Sequence, residues 1–343
     1  MNWNDKNEVL KRVKENGWDL EVASKELKAD KDVVLEAVKQ SGYALCFASD
    51  ELKNDKEIIL EAVKNNGSAL YFASDELKND KEVVLTAVKN DGEALEDASD
   101  ELKNDKEVVM EAVKQNGDAL KFASDELKND KEFMFEIIKI NNYLLRYASD
   151  ELKNDKEIVL EAVKIDGWDL EYASDELKND KEVVMEAVKN YGWALYDASN
   201  ELRADKDVVM TAVKQNGLAL YYASYELKKD KDIVLEAVKQ NGRALYDASP
   251  ELQNDKEFLK EAINTNIEVF ELLRYVDNEL LKDSKIIETT INKFSEYECS
   301  KDYDLNSLKN NPEQLKGILE IINFKNEPLI INNENEHKVE FGD

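Results

Sequence analysis

ASDELKNDKEIILEAVKNNGSALYF, Ala48 to Phe72, is one copy of a unit that returns every 25 residues. Ala-Ser recurs ten times, from Ala23-Ser24 to Ala248-Ser249, and an aspartate stands in phase eleven times from Asp5 to Asp255. Asp283 is a twelfth, displaced by three residues. Self-similarity at such a period marks a repeat architecture, in which each unit buries its apolar face only against its neighbours.

The copy from Asp30 to Asn54 shows how one unit should fold. Asp30 precedes KDVVLEAVKQ, where its carboxylate can cap the first free N–H groups of a helix. Lys31 to Gln40 is predicted helical, with Asp32 in the first turn and Lys39 in the last, as the helix dipole favours. Val34, Leu35, Ala37 and Val38 form the apolar stripe, and Glu36 and Lys39 make an i, i+3 pair outside it. Gly42 reads as a left-handed C′ glycine ending that helix. A second, short helix, Tyr43 to Ala48, offers Ala44, Leu45 and Ala48 to the core. Ser49 then opens a capped turn through Leu52. In the tenth copy that turn is Ser249-Pro250-Glu251-Leu252, and proline suits the first helical position after a serine cap.

The fold class is therefore all-α: a solenoid, or superhelix, of about eleven 25-residue repeats, each a long helix, a short helix and a capped turn. Ten-residue helices are marginal alone, so contacts between repeats must hold them. At a helix spacing of roughly 8–10 Å, a superhelical rod with a contour near ~100 Å is expected. Asp5 begins the first copy, Met1 to Asn4 leave no room for a separate cap, and Trp3 is placed to cover the first edge. The sixth copy departs from the rest: Phe133, Met134, Phe135, Ile137, Ile138 and Ile140 enlarge its helix, Asn142 replaces glycine and Leu144 replaces alanine. Asn142 can take the left-handed position, and the added bulk implies a bend or a dimer seam. The regular solenoid spans residues 1–282. Residues 283–343 hold a degenerate last repeat, with a helix to about Phe294, and an irregular C-terminal cap. Ile267 stands where a glycine should be, Leu280, Asp283 and Ile291 resume the frame, a helix is expected from Pro312 to Phe324, and Pro328 to Phe341 read as a β-hairpin.

The formal charge is −29. Within one unit Asp50, Glu51, Asp55, Glu57 and Glu61 oppose Lys53, Lys56 and Lys64, so most of the excess is built into the repeat. Such a surface repels phosphate backbones and attracts basic partners over a range that salt shortens. Cys46 and Cys299 lie too far apart in sequence for a disulfide framework. No apolar leader and no 18-residue apolar run is present, which points away from the membrane and toward the cytoplasm, or toward export without a cleaved signal.

Dinucleotide, P-loop, zinc-protease, CxxC and hydrolase-elbow motifs are absent from the sequence, and His337 is its only histidine. An enzyme is not expected, nor a cofactor or metal. Asp91, Glu93, Glu96, Asp97, Asp100 and Glu101 form the densest acidic run, either a solvated face or a dock for a divalent cation or basic peptide.

The string DKEVVLEAVKQNGxALxYASDELKND, repeated over about residues 5 to 265, resembles the repeats gathered as domain of unknown function 4116. The resemblance implies an α-helical repeat and brings no catalytic residue or cofactor. Alternating long and very short helices are also loosely similar to leucine-rich-variant and HEAT-like solenoids.

Two columns vary while the core positions hold. One runs Trp18, Tyr43, Ser68, Glu93, Asp118, Tyr143, Trp168, Trp193, Leu218, Arg243; the other runs Glu21, Cys46, Tyr71, Glu96, Lys121, Arg146, Glu171, Tyr196, Tyr221, Tyr246. They are i, i+3 neighbours on the short helix and share a face. Trp, Tyr and Arg are the residues from which binding hot spots are built. Trp18, Tyr43, Tyr71, Tyr143, Arg146, Trp168, Trp193, Tyr196, Tyr221, Arg243 and Tyr246 are the candidate partner-binding residues; the bland reading is that these rings only shield repeat junctions. A third column (Phe47, Phe72, Phe122, Tyr147, Tyr172, Tyr222, broken by Asp97, Asp197 and Asp247) reads as structural. The expected function is a monomeric, non-enzymatic scaffold for a protein or peptide, with acidic mimicry of nucleic acid toward a DNA-binding protein as the alternative.

Overall fold

The computed structural model describes residues 2–141, 143–266, 269, 283–296, 303–311, 313–315 and 317. It is an all-α repeat solenoid with no strand among the described residues. It divides into two compact units, Met1–Glu186 and Ala187–Asp343, and each is considered by itself. The expected C-terminal hairpin, most of the expected helix from Pro312 to Phe324, and Asn142, Ile267, Leu280, Cys299 and His337 lie outside the described residues.

Aspartate starts each long helix as its position implied. Asp30 Oδ1 accepts from the N–H groups of Asp32 (3.1 Å) and Val33 (3.2 Å), opening the helix Lys31–Gln40. Asp255 does the same for Lys256–Thr265 in the second unit. Asp283 opens Ser284–Phe294, so the displaced aspartate resumes the pattern. The buried face is Val33, Val34, Ala37 and Val38, all fully enclosed. Leu35, expected in the core, is only half-buried. The core face is shifted by one residue in a helix that packs against the long helices before and after it and against the short helices of two repeats.

The short helix is 3₁₀, not α, and spans Gly42–Phe47, with Ala48 as its extended C-cap. Six residues between two extended caps leave room for i→i+3 closure, such as Ala48 N–H to Leu45 C=O at 3.0 Å. Gly42 is not a left-handed C′ residue, since no described glycine has positive φ. Its requirement is proximity: a Cβ there would sit 2.4 Å from the Ala62 carbonyl oxygen of the next repeat. The backbone of one short helix thus lies directly against the long helix that follows. Ser249 caps the Pro250–Gln253 turn through Leu252 N–H, with the proline at the start of the helix.

Polar bonds recur at the repeat joints. Ser49 N–H donates to Lys28 C=O (2.9 Å), Ser74 to Lys53 (3.0 Å) and, in the second unit, Ser249 to Lys228 (2.9 Å). Ser24 N–H instead reaches Trp3 C=O at 3.1 Å, so the half-buried Trp3 takes the place that a lysine carbonyl fills at the later joints. Asn65, at the end of a long helix, accepts from Gly42 N–H (2.7 Å) and donates to Lys39 C=O (2.9 Å). One amide thereby satisfies a helix end and a helix start in the repeat before it. A lysine relay runs alongside: Lys31 Nζ meets Asp55 (2.7 Å) and Glu57 (2.8 Å), Lys56 meets Asp80 and Glu82, and Lys206 meets Asp230. Hydrogen bonds to Asp55 and Glu57 push the Lys31 ammonium up to about 12. Burial pushes Asp55 upward, but Lys31 and the Ile58 and Glu57 N–H groups hold it below its ordinary value.

The sixth copy places its bulk inward. Phe133, Met134, Ile137 and Ile138 are buried, while Ile140 is exposed and Lys139 lies over the Phe135 ring at 4.0 Å. Its helix ends early, at Ile138. Tyr143 takes the left-handed conformation, φ 70°, where the sequence pointed to Asn142.

Candidate partner-binding face

The two variable columns lie on the 3₁₀ helices, where residues three apart eclipse one another and so present as one stripe. Their rings are neither enclosed nor free. In the first unit Trp18 is 49% exposed and Trp168 42% exposed; Tyr71 and Tyr143 are exposed and Tyr43 marginally so. In the second, Tyr196 is 61% and Tyr221 59% exposed, Tyr246 and Arg243 are exposed, and Trp193 is half-buried.

Three rings of the first column lean on the third-column ring of the next repeat. Trp18 meets Phe47 edge-on at 5.8 Å, Tyr43 meets Phe72 at 6.2 Å and, in the second unit, Trp193 meets Tyr222 at 5.6 Å. Such contacts add on the order of 0.5–1.5 kcal/mol beyond area burial. The rings therefore brace repeat junctions and present their outer faces to solvent at once; the two roles read from sequence are not exclusive. Of the second-column rings, Tyr71 packs on Phe72 and Tyr221 on Tyr222 of its own repeat, both at 5.0 Å, whereas Tyr196 packs on Tyr222 of the next.

Arg146 differs from the other candidates. Its guanidinium pairs with Asp118 of the preceding repeat and lies 4.6 Å from the Tyr147 ring centroid, while Tyr147 Oη donates to the same carboxylate at 3.2 Å. Arg146 thus serves the joint as much as the surface. Trp168 Nε1 donates to Glu171 at 2.8 Å, fixing its ring orientation.

The acidic run at Asp91–Glu101 is spread over the surface. Among the described residues no group of three His, Cys, Asp or Glu is placed to hold a metal ion. Asp97 is half-buried and burial raises its carboxyl, with Lys78 and Lys103 near it. Among the same residues no helix is long and apolar enough to cross a membrane. Cys46 is a free, half-buried thiol that burial pushes up.

One group escaped the sequence reading. Asp169 occupies the column of Ala44, Ala69 and Ala94, is 1% exposed, and no well-formed hydrogen bond reaches either carboxylate oxygen. Burial, with Asp166 adding to it, raises it to about 7; the Tyr143 backbone and Arg146 offset only part. Asp19 sits in the same column but pairs with Arg12 at 2.7 Å. The signal was present in the Ala column, which reads Asp at 19 and 169 and Leu at 144.

Stacked long and 3₁₀ helices, interlocked by backbone, amide and lysine bonds at a fixed period, define a tandem α-helical repeat protein. The family profile described as "Domain of unknown function (DUF4116)" matches residues 5–53, 32–78, 55–103, 80–128, 105–153, 130–170, 155–203, 205–253 and 241–281, and the chain belongs to that family. No curated protein matches it.

Proposed function

We propose that the chain is a non-enzymatic scaffold that binds a protein or peptide along the face of its 3₁₀ helices. The observation that carries this reading is the contrast between positions. Core columns are fully enclosed and nearly invariant, whereas the columns beside them hold large rings that stay half exposed on rigid supports. Aromatic side chains held in place lose little entropy on binding, which is what makes them effective anchors. Rings Trp18, Tyr43, Tyr71, Tyr143 and Trp168 serve the first unit, with Arg146; Trp193, Tyr196, Tyr221, Tyr246 and Arg243 serve the second. Acidic mimicry of nucleic acid is less well supported, since the lysine relay engages the carboxylates at the long-helix starts.

Affinity capture from cell lysate with the wild type and with Trp168→Ala/Trp193→Ala/Tyr196→Ala tests the reading. Partners should be lost with the variant and survive moderate salt. A variant that retains every partner removes this face as the site.

A further inference from the structure

Three charged groups of the first unit stand in consecutive repeats around its irregular joint. Asp118 belongs to the fifth copy, Arg146 to the sixth and Asp169 to the seventh. Arg146 pairs with Asp118 across one joint, yet its buried Nε has no partner. Asp169, on the other side, has no well-formed hydrogen bond to either oxygen. A buried donor and a buried acceptor are thus both unused at one place, and each is costly as it stands. The Tyr143 backbone that approaches Asp169 is itself held left-handed, at φ 70°.

Sibling repeats lack this combination. Lys121 pairs with Glu93 at 3.5 Å, the same cross-joint pair one repeat earlier, but the place of Asp169 is there filled by Leu144. Asp19 shares the Asp169 column, and its carboxylate takes Arg12 at 2.7 Å. Ala162 stands in the seventh copy where Arg12 stands in the first. Asp169 therefore lacks an arginine from its own repeat.

The groups around it leave one substitute. Its own 3₁₀ helix, Gly167–Tyr172, supplies Asp166 at the cap, Glu171 and Tyr172. The preceding one, Leu144–Tyr147, supplies Arg146 and the Tyr147 hydroxyl, with Asp118 behind them. The long helix Lys156–Ile165 turns Ile158, Val159, Ala162 and Val163 inward, and of residues 181–186 Val183 and Val184 are enclosed. Arg146 is the one cation among the groups that act on Asp169. Burial, with Asp166 adding to it, holds the carboxyl at about 7, so its proton leaves for solvent as pH rises through neutrality. An ion pair at the surface contributes little, whereas an unpaired charge in the interior costs far more. Once Asp169 is ionised, Arg146 stabilises the chain more there than on the exposed Asp118.

We propose that Arg146 is a proton-operated switch between Asp118 and Asp169. With Asp169 protonated it ties the fifth repeat to the sixth; with Asp169 ionised it turns to the seventh and releases Asp118. Tyr143, Arg146 and Trp168 of the proposed binding face lie on the same two repeats, so partner affinity there follows the proton. The switch itself needs no partner, and its failure would leave the scaffold reading standing.

The test follows the side-chain Nε–H signals of the full chain grown with isotopically labelled arginine. The sequence holds five arginines, and Arg146→Lys assigns the one in question. From about pH 5 to about pH 8 the Arg146 signal should move, with a midpoint near 7, while that of Arg12, already on Asp19, stays in place. Asp169→Asn should abolish the movement, and so should Asp169→Ala, which restores the residue of the sibling repeats. Asp118→Asn removes the competing carboxylate and should lower the midpoint by about half a unit or more. An Arg146 signal that stays put, or that moves equally without the Asp169 carboxylate, overturns the switch. An unchanged midpoint in Asp118→Asn overturns the exchange of partners.

Discussion

Replacing Asp169 by alanine should stabilise the protein, and by an amount that grows with pH. In the folded chain its carboxyl is raised from an ordinary 3.8 to about 7. Between those values the folded state holds a proton that the unfolded state has released, so stability declines as pH rises through this window and is lowest above it. At ~1.4 kcal/mol per pKa unit, the full penalty above pH 7 is on the order of 4 kcal/mol. At pH 5 most of it is not yet incurred, so the advantage of Asp169→Ala should grow by about 2–3 kcal/mol between pH 5 and pH 8. A further contribution, independent of pH, comes from removing a buried carboxyl that lacks a well-formed hydrogen bond. Alanine fits, because Ala44 and Ala69 fill the equivalent space in sibling repeats. Urea unfolding at both pH values, with amide exchange of the Tyr143–Tyr172 region to localise the effect, supplies the measurement. Asp19→Ala is the internal control: that carboxylate is paired with Arg12, so its loss should destabilise. Parallel pH dependences for wild type and Asp169→Ala would show that the buried carboxyl ionises normally and refute the reasoning.

Gly42→Ala should cost roughly 1–3 kcal/mol or more, because its Cβ would meet the Ala62 carbonyl oxygen at 2.4 Å; unchanged urea unfolding would count against the close approach. Lys56→Met, which breaks one step of the relay to Asp80 and Glu82, should lower stability only slightly at neutral pH and low salt. Asp80 is held below its ordinary value despite the upward push of burial, by Lys56 and the N–H groups of Val83 and Glu82. That stabilisation is present above about pH 4 and is lost as pH falls through the folded value. Wild type and Lys56→Met should therefore converge in acid, and a gap that persists there would argue against the relay. Hydrogen exchange should be fastest, within the regular repeats of the first unit, across Lys139–Tyr147, where the helix ends early and Ile140 supplies no amide in the place of Asn65. Uniform protection there would contradict this.

What could be read from the chain was whatever repeats. Asp30, Ser249 and the valines recur in fixed phase, and each has a local physical role, so caps and element order followed from the pattern, and so did the core columns except that Val33 rather than Leu35 is enclosed. What could not be read depends on the neighbouring repeat. The bond from Lys31 to Asp55, the clamp from Asn65 to Gly42 and the pressure of Ala62 on Gly42 all join residues 20 or more positions apart. Gly42 looked like a helix terminator because a glycine just after a helix has a well-known local meaning. Here that meaning is overridden by packing against the next unit. The 3₁₀ form was illegible for a related reason, since six residues carry too little propensity to distinguish it from a short α-helix.

The candidate face shows the same division between local and long-range information. Which columns vary was plain from the sequence, and the exposure of Trp18, Trp168, Tyr196 and Tyr221 agrees with their being available. That first-column rings also brace the following repeat was not legible, because the partner ring lies 29 positions on, as in Trp18 with Phe47 and Trp193 with Tyr222. This coupling has a consequence for any ligand. A ring that spans two repeats reports on the spacing between them, so a partner that seats on several rings favours one spacing over others. By linkage, binding at Tyr196 and Tyr221 should stiffen the joint on which Tyr222 sits and slow exchange of the Leu220 and Ala223 amides beneath it. Ligand bound without that protection would mean that the outer ring faces act independently of the junctions they cover.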